Sequence, residues 1–258
     1  GLGIPAEPLF RSASIRLSKN KGRNELLLPV LLFISFLALS TCIILRWIIK
    51  STVPISNGYE TMLLIAWFVM LISLITYFKL AKVNKLMGMI VITFGFLISG
   101  FALLVSHINQ MDPQITHMMP VLNSPLLSIH VCIIMMSFAL LSLTFICSII
   151  GLLFRKIEKQ LAVLSMIFLY PALTTLGIGI FTGAIWANIS WGQYWSWDPK
   201  EVWALITMFV YAAPLHGKLL PCFRNTRFFH FYCIIAFLSI LITYFGVNFI
   251  LGGIHAYN

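Results

Sequence analysis

The sequence predicts an all-α integral membrane protein of about seven transmembrane helices. Its composition, its long apolar runs and its distribution of basic residues all point to this fold. Of the 258 residues, 60% are hydrophobic and only 9% are charged. A soluble domain carries about 25% charged residues, so the composition excludes a soluble globular protein. The apolar runs are long enough to cross a hydrocarbon core of about 30 Å as helices, and their uniform apolarity excludes the alternating strands of a barrel.

Seven apolar runs define the predicted spans. Pro125 precedes the fourth run, and proline is favoured at the first position of a helix. The sixth run is short and continues at most to residue 220. The predicted spans are 26–49, 61–78, 86–106, 126–154, 161–184, 202–216 and 228–251.

The region before the first span differs in composition from everything after it. Residues 1–25 form a predicted basic cytoplasmic segment, and residues 26–258 form one membrane domain. The first residue is glycine, and no apolar signal segment precedes the first span. We therefore expect a chain cut from a longer polypeptide or processed.

The basic residues predict the orientation of the chain. Fourteen of the seventeen lysines and arginines fall on one set of connections, and such connections face the cytoplasm. The opposite side has only Arg46, Lys50 and Lys200. With seven spans, the N-terminus lies inside and the C-terminus outside. The net charge of +10 is thus a topology signal, and it gives no reason to infer a nucleic-acid partner.

A tryptophan-rich stretch, residues 186–203, is the most informative part of the sequence, and we call it the WWD segment. It holds five of the seven tryptophans. Trp191, Tyr194 and Trp195 have helical spacing, while Asp198 and Pro199 are typical of an N-cap and first helical position. We expect a flat aromatic shelf on the outer surface, suited to stacking against a large planar ligand. An aromatic belt at the membrane interface is the alternative interpretation.

The histidines supply candidate metal ligands. His130 begins the fourth span and His255 follows the seventh, so both are predicted at the outer ends of helices. Two neutral imidazoles from different helices are a natural axial pair for haem iron. His216 lies near the inner end of the sixth span, where His230 is the other imidazole of that side. Ordinary structural roles are the alternative interpretation for His107, His117 and His230.

Several motifs together resemble one family. W-G-Q-Y-W-S-W-D-P-K-E-V-W-A in the WWD segment resembles the tryptophan-rich signature of haem-handling proteins, above all the CcsA/ResC family of system II cytochrome c biogenesis. I-S-N-G-Y-E at residues 55–60 is similar to that family's turn before the second span. The surroundings of His130, His216 and His255 resemble those of its functional histidines. The resemblance extends from about residue 30 onward.

The resemblance implies a role, a substrate and partners. Haem b would enter from the cytoplasmic side and move to an outer site with His130 and His255 as axial ligands. There Trp191, Trp195, Trp197 and Asp198 would present it to apocytochrome c for thioether formation with the C-x-x-C-H cysteines. His216 would be half of an inner pair completed by a ResB/CcsB-type partner or fused half. The bacterial inner membrane and the thylakoid membrane both fit.

Other interpretations stay open at this point. A CcmC-like protein that delivers haem to a chaperone shares the aromatic signature, but six spans would be expected for it. A b-type haem electron carrier would place histidine pairs within the spans rather than at their ends. Arg46, Lys50 and Lys200 are candidate partners for haem propionates, and snorkelling or surface charge is the alternative explanation for them.

Overall fold

The structure is a computed structural model, and it describes the backbone of residues 6–55, 57–107, 113–114, 124–217 and 219–251. This part of the chain is helical, with short connections. A 3-10 turn, Ala213–His216, follows the sixth helix, a second one, Pro221–Arg224, precedes the seventh, and a π-helical segment, Ile242–Leu251, continues the seventh. The α-helices are α1 Ala6–Lys50, α2 Gly58–Leu80, α3 Lys85–Ser106, α4 Pro125–Leu153, α5 Glu158–Trp191, α6 Pro199–Ala212 and α7 Thr226–Leu241. The prediction of an all-α membrane protein is confirmed.

Six helices in the described part are long and apolar enough to cross a membrane. They correspond to six of the seven predicted spans. The remaining one, predicted at 202–216, is α6, which has 14 residues against the roughly 20 that a hydrocarbon core requires. The seventh span and the orientation of the bundle therefore stay predictions. The six helices, with α7 counted together with its π-helical continuation, are Leu26–Lys50, Gly58–Leu80, Lys85–Ser106, Pro125–Leu153, Glu158–Trp191 and Thr226–Asn248.

Side-chain caps set the starts of several helices. The side-chain oxygens of Asn57, Asn84 and Asn225 accept hydrogen bonds from the first-turn N–H groups of α2, α3 and α7. Pro125 occupies the first turn of α4, as the sequence predicted. Such caps satisfy N–H groups that have no partner within the helix, so the spans begin at defined positions.

Helix α4 is the centre of the bundle and α1 is its edge. In the most apolar stretch of α4, 61% of the residues are buried, but only 17% are buried in that of α1. Helix α4 packs on α5, α7 and α2, and α2 packs on α3. Residues 81–84 and 154–157 are connections too short for anything but antiparallel neighbours. The helix connections therefore lie at two opposite ends of the bundle, and the WWD segment is at the end predicted to be on the outer side of the membrane.

Small residues allow the closest helix contacts. A Cβ at Gly179 of α5 would lie 2.4 Å from Ile134 Cδ1 of α4. A Cβ at Gly95 of α3 would lie 2.7 Å from Ser73 Cβ of α2. Gly179 and Gly183 therefore permit a close approach of α4 and α5, in line with the small-residue interfaces of membrane helices.

Candidate functional site

His130 is held against α5 by one hydrogen bond and one glycine. Its Nδ1 lies 2.7 Å from the carbonyl oxygen of Gly179. A carbonyl oxygen only accepts, so Nδ1 donates, and in the neutral imidazole the lone pair is then on Nε2. A Cβ at Gly183 would lie 2.6 Å from the ring Cε1, so the imidazole occupies the space that this glycine leaves. The tautomer and the ring orientation are those of a neutral metal-ligating histidine.

The same helix carries His130's contacts and the start of the WWD segment. Trp186 follows Gly183 by three residues, a rise of about 4.5 Å along the helix. Helix α5 then continues to Trp191, seven residues beyond the predicted end of the fifth span. One rigid element thus joins the candidate iron ligand to the tryptophans.

Trp191, Tyr194 and Trp195 do not lie on one helix, so the helical arrangement predicted from their spacing is wrong. Helix α5 ends at Trp191 because Gly192 takes a left-handed conformation, with φ of 78°, which is a common way for helices to end. Nothing lies within 4 Å of a Cβ built at Gly192, so this glycine serves the turn and not a close contact. Tyr194 and Trp195 lie in the irregular connection to α6.

The aromatic rings of the WWD segment do not form the predicted flat shelf. Trp186 and Trp191 are 4.8 Å apart at 72°, and Trp195 and Trp197 are 6.0 Å apart at 90°. Edge-to-face pairs are the favoured arrangement, because the positive edge of one ring meets the negative face of the other. Trp186 is 2% exposed and Trp197 is 77% exposed. The tryptophans therefore divide into a buried support and a projecting group.

The start of α6 confirms the predicted N-cap at Asp198 and shows that it is part of a capping box with Glu201. The Asp198 carboxylate accepts from Lys200 N at 3.0 Å, and Asp198 N donates to Glu201 Oε2 at 3.3 Å. Asp198 is buried, so its first task is to begin α6. Sequence reasoning missed a further contact, since Glu201 Oε2 also accepts from Ser196 N at 2.9 Å.

Lys200 is the predicted outer cation within the WWD segment. Burial lowers the pKa of its amine to about 8, although the nearby Asp198 carboxylate acts to raise it. Burial disfavours the charged form. The amine is therefore less strongly charged near neutral pH than a surface lysine.

Arg46 and Lys50, the other two predicted outer cations, are bound to one carboxylate. Glu60, which is 1% exposed, accepts from Lys50 Nζ at 2.9 Å and from Arg46 Nη2 at 3.2 Å. Arg46 also donates to Pro113 O and lies over the Tyr59 ring. The sequence offered haem propionates or snorkelling for these cations and missed Glu60. Its position in the first turn of α2, opposite two cations at the end of α1, was the available signal.

His216 lies at the other end of α6 from the WWD segment. It is exposed, and its Nδ1 lies 2.9 Å from Ala212 O. In the neutral imidazole, donation to this carbonyl again leaves the lone pair on Nε2. Three aromatic residues with ring centroids 4.9–6.3 Å apart, Phe223, Phe228 and Tyr232, pack together in the following turn and helix. Tyr232 OH donates to Val210 O, which ties this aromatic cluster to α6.

His230 differs from His130 and His216. It is fully buried, and its Nε2 lies 3.1 Å from Glu158 O. A Cβ at Gly151 would lie 2.5 Å from the same nitrogen. The imidazole therefore links α7 to α4 and α5, in agreement with the structural role considered for it. His107 is exposed, and its ring meets Tyr59 edge-on at 6.2 Å.

The structure brings some of the predicted site residues together and not others. His130 of α4 contacts α5, the helix on which the WWD segment begins, and Trp195, Trp197 and Asp198 lie in the connection from α5 to α6. His216 is at the opposite face. His255, the predicted second outer ligand, lies outside the described residues, as does His117.

Comparison with known proteins gives a consistent result. Residues 55–255 match a family model described as cytochrome C assembly protein. A protein named NrfI from Wolinella succinogenes is 37% identical over 83% of this chain. Cytochrome c biogenesis protein CcsA from Chlamydomonas reinhardtii is 33% identical over 88% of the chain and 67% of its own length. CcsA from Trieres chinensis is 32% identical over 82% of the chain and 80% of its own length.

The extent of the match differs among these relatives. The chain spans 24% of the length of NrfI, against two thirds or more of the two CcsA proteins.

Proposed function

This chain belongs to the cytochrome c assembly protein family, in its CcsA/ResC branch, and from that premise we propose that it carries haem b to the outer face of a membrane and supports its covalent attachment to apocytochrome c. Its role in cytochrome c maturation and its multi-pass membrane character follow from the family and from the six long apolar helices. The haem chemistry and the partners are the proposal.

The hydrogen bond between His130 Nδ1 and Gly179 O is the observation that carries the proposal. With Nδ1 donating to Gly179 O, Nε2 is the nitrogen with a lone pair. Histidines that bind metals almost always donate their other ring N–H to such an acceptor, which orients the ring and raises its basicity. The donor chemistry therefore fits haem iron, with His255 proposed as the second outer axial ligand.

His216 supports a second, inner haem position. It has the same tautomer as His130, at the face predicted to be cytoplasmic. The neighbouring aromatic cluster of Phe223, Phe228 and Tyr232 offers apolar surface for a porphyrin edge. The buried His230 is not available as its pair, so we propose that a ResB/CcsB-type protein or fused half supplies the other ligand.

The residues of this chain need to bind and orient haem rather than attack it. Each apocytochrome thiol adds across a haem vinyl group, forming one C–S bond and placing the thiol hydrogen on the other vinyl carbon. The protein's contribution is proximity and orientation. Trp191, Trp195, Trp197 and the Asp198 cap would form the presenting surface. We place the protein in a bacterial inner membrane, with the thylakoid membrane as the alternative.

Co-expression with a ResB/CcsB-type partner and an apocytochrome c reporter, in a host without its own maturation system, tests this proposal. We expect the purified wild-type complex to show a Soret band and to mature the reporter. His130→Ala and His255→Ala should lose the outer-site signal and maturation, and added imidazole should restore part of both. His216→Ala should reduce haem loading.

His107→Ala is the matched control, because it removes an exposed imidazole from the same face. It should retain haem and activity. A wild-type complex that purifies without haem, or equal losses in the His107 and His130 variants, would contradict the proposal.

A further inference from the structure

Trp197 has an unusual backbone conformation. Its φ is 59°, in the left-handed region where an L-residue's Cβ crowds the following carbonyl oxygen. Ser51 is the one other non-glycine residue with positive φ in the described part of the chain. A bulky side chain stays in this region only where the surrounding contacts fix the backbone.

Glu201 supplies those contacts on both sides of Trp197. Its Oε2 accepts from Ser196 N at 2.9 Å and from Asp198 N at 3.3 Å. Its Oε1 lies 3.3 Å from the Ser196 hydroxyl. One carboxylate thus accepts from the backbone N–H groups of the residues before and after Trp197, which restricts the backbone of the residue between them.

The contacts of Glu201 exceed what a helix cap requires. In a capping box the glutamate needs to reach only the N–H of the N-cap residue, which is Asp198 here. The bonds to Ser196 lie two residues before the cap and satisfy no N–H group of α6. Their structural effect falls on Trp197.

The held conformation determines where the indole lies. Trp197 is 77% exposed, and it is the one exposed tryptophan of the WWD segment. Its ring stands perpendicular to that of Trp195. If the backbone relaxed to negative φ, the indole would be free to fold onto the apolar surface beside it, because burial of apolar area is favourable.

We propose that Glu201 is a positioning residue that holds Trp197 in its left-handed conformation, so that the indole projects from the outer face to contact the haem plane. This inference rests on the proposed haem function for its ligand. The hydrogen bonds by which Glu201 restricts the backbone at Trp197 do not depend on haem, and they have a separate test.

Iodide quenching of tryptophan fluorescence in lipid nanodiscs tests the hold without haem. Glu201→Asp keeps a negative charge near the N-terminus of α6, but it is one methylene too short to reach Ser196 N. We expect its iodide-quenchable fraction to fall to that of Trp197→Phe. Glu158→Asp, which alters an acidic residue in the first turn of α5, is the control and should leave quenching unchanged.

Unchanged quenching in a folded Glu201→Asp protein would overturn the proposal. If that variant does not purify as a single species, Glu201→Gln replaces it. It keeps the side-chain length and removes the charge, so it should lower quenching by a smaller amount.

Haem retention then tests whether Glu201 acts through Trp197. Glycine adopts positive φ without strain, so Trp197→Gly removes both the indole and the need for the hold. We expect Glu201→Asp to lower the Soret absorbance per protein, as Trp197→Gly also should. In the Trp197→Gly background it should lower it no further.

Additive losses in the double variant would assign Glu201 to the α6 cap alone and overturn the proposal. A wild-type protein without haem would contradict the proposed function, while the quenching experiment would still decide whether Glu201 positions Trp197.

Discussion

His130 and His230 are held in similar ways at opposite ends of the bundle. Each imidazole lies where a glycine of a neighbouring helix leaves space, and each bonds to a carbonyl oxygen of α5. His130 uses Nδ1 and remains partly exposed, whereas His230 uses Nε2 and is fully buried. The choice of nitrogen and the access to it, rather than the presence of histidine, separate a candidate iron ligand from a packing residue.

Replacement of each histidine by alanine gives the largest expected contrast. His130→Ala should lower cytochrome c maturation by at least about tenfold, because loss of a ligand exceeds the loss of a second-shell partner. His230→Ala should instead lower the free energy of unfolding by about 2–4 kcal/mol, through a cavity and an unsatisfied carbonyl group. Soret absorbance per folded protein and the thermal unfolding midpoint in detergent separate the two. Loss of haem from His230→Ala with an unchanged unfolding midpoint would contradict the assignment of His230 as a packing residue.

Glu60→Gln tests whether loss of stability at the outer face imitates loss of a ligand. It leaves Lys50 and Arg46 without their carboxylate, and breaking a buried ion pair costs about 3–5 kcal/mol. We expect a lower unfolding midpoint and lower yield, with a normal Soret maximum in the protein that remains folded. Glu60→Asp keeps the charge, and its unfolding midpoint should lie between those of the wild type and Glu60→Gln. A shifted Soret band in Glu60→Gln would mean that this ion pair contacts haem.

The two glycines sharpen the comparison with smaller changes. A Cβ at Gly183 would collide with the His130 ring, and one at Gly151 would collide with His230 Nε2. Overpacking of this kind costs about 1–3 kcal/mol. Gly183→Ala should therefore weaken haem retention through His130, and Gly151→Ala should lower only stability.

Gly177→Ala is the matched control on α5. Its nearest neighbour to a built Cβ is Met208 Sδ at 3.9 Å, an ordinary contact distance. Both haem retention and stability should stay near wild type. If Gly151→Ala reduced haem retention as much as Gly183→Ala, the two imidazole sites would not be independent.

The smallest expected effect concerns Lys200, whose pKa reports how strongly the outer end of α6 is shielded from water. With a pKa of about 8, its amine is half neutral at pH 8, a neutral fraction about a hundredfold larger than that of an ordinary lysine. Acetylation of Lys200 followed by mass spectrometry should therefore rise steeply through pH 8. Asp198→Asn keeps a good N-cap but removes the attraction that raises this pKa, so the rise should move to lower pH. A rise centred near pH 10 in the wild type would contradict the burial.

Much of the fold follows from local properties of the sequence. The third and fourth spans were predicted within one residue of α3 and α4, because hydropathy marks them and a cap or proline fixes their start. The N-cap of α6 was also predicted, since Asp198 and Pro199 are a local pair at the helix start. The end of α5 was not, because this helix continues beyond its apolar stretch until Gly192 takes positive φ.

The candidate site was predictable in its residues but not in its geometry. His130 and the WWD segment were identified by type and position. The tautomer of His130 depends on a carbonyl 49 residues away, and the pairing of Glu60 with two cations depends on how α1 packs on α2. Neither leaves a periodic pattern in the sequence. The exposed indole of Trp197 likewise depends on a backbone angle that composition does not encode.

The ion pair between α1 and α2 also bears on how the chain enters the membrane during synthesis. Glu60 is 10 residues from Lys50 and 14 from Arg46 in the sequence. Both ion pairs can therefore form as soon as the start of α2 has been synthesised after α1. Isolated charges are costly in a lipid environment, and contacts between residues close in sequence form fastest. These two helices are therefore suited to insert as one hairpin whose buried charges are already paired.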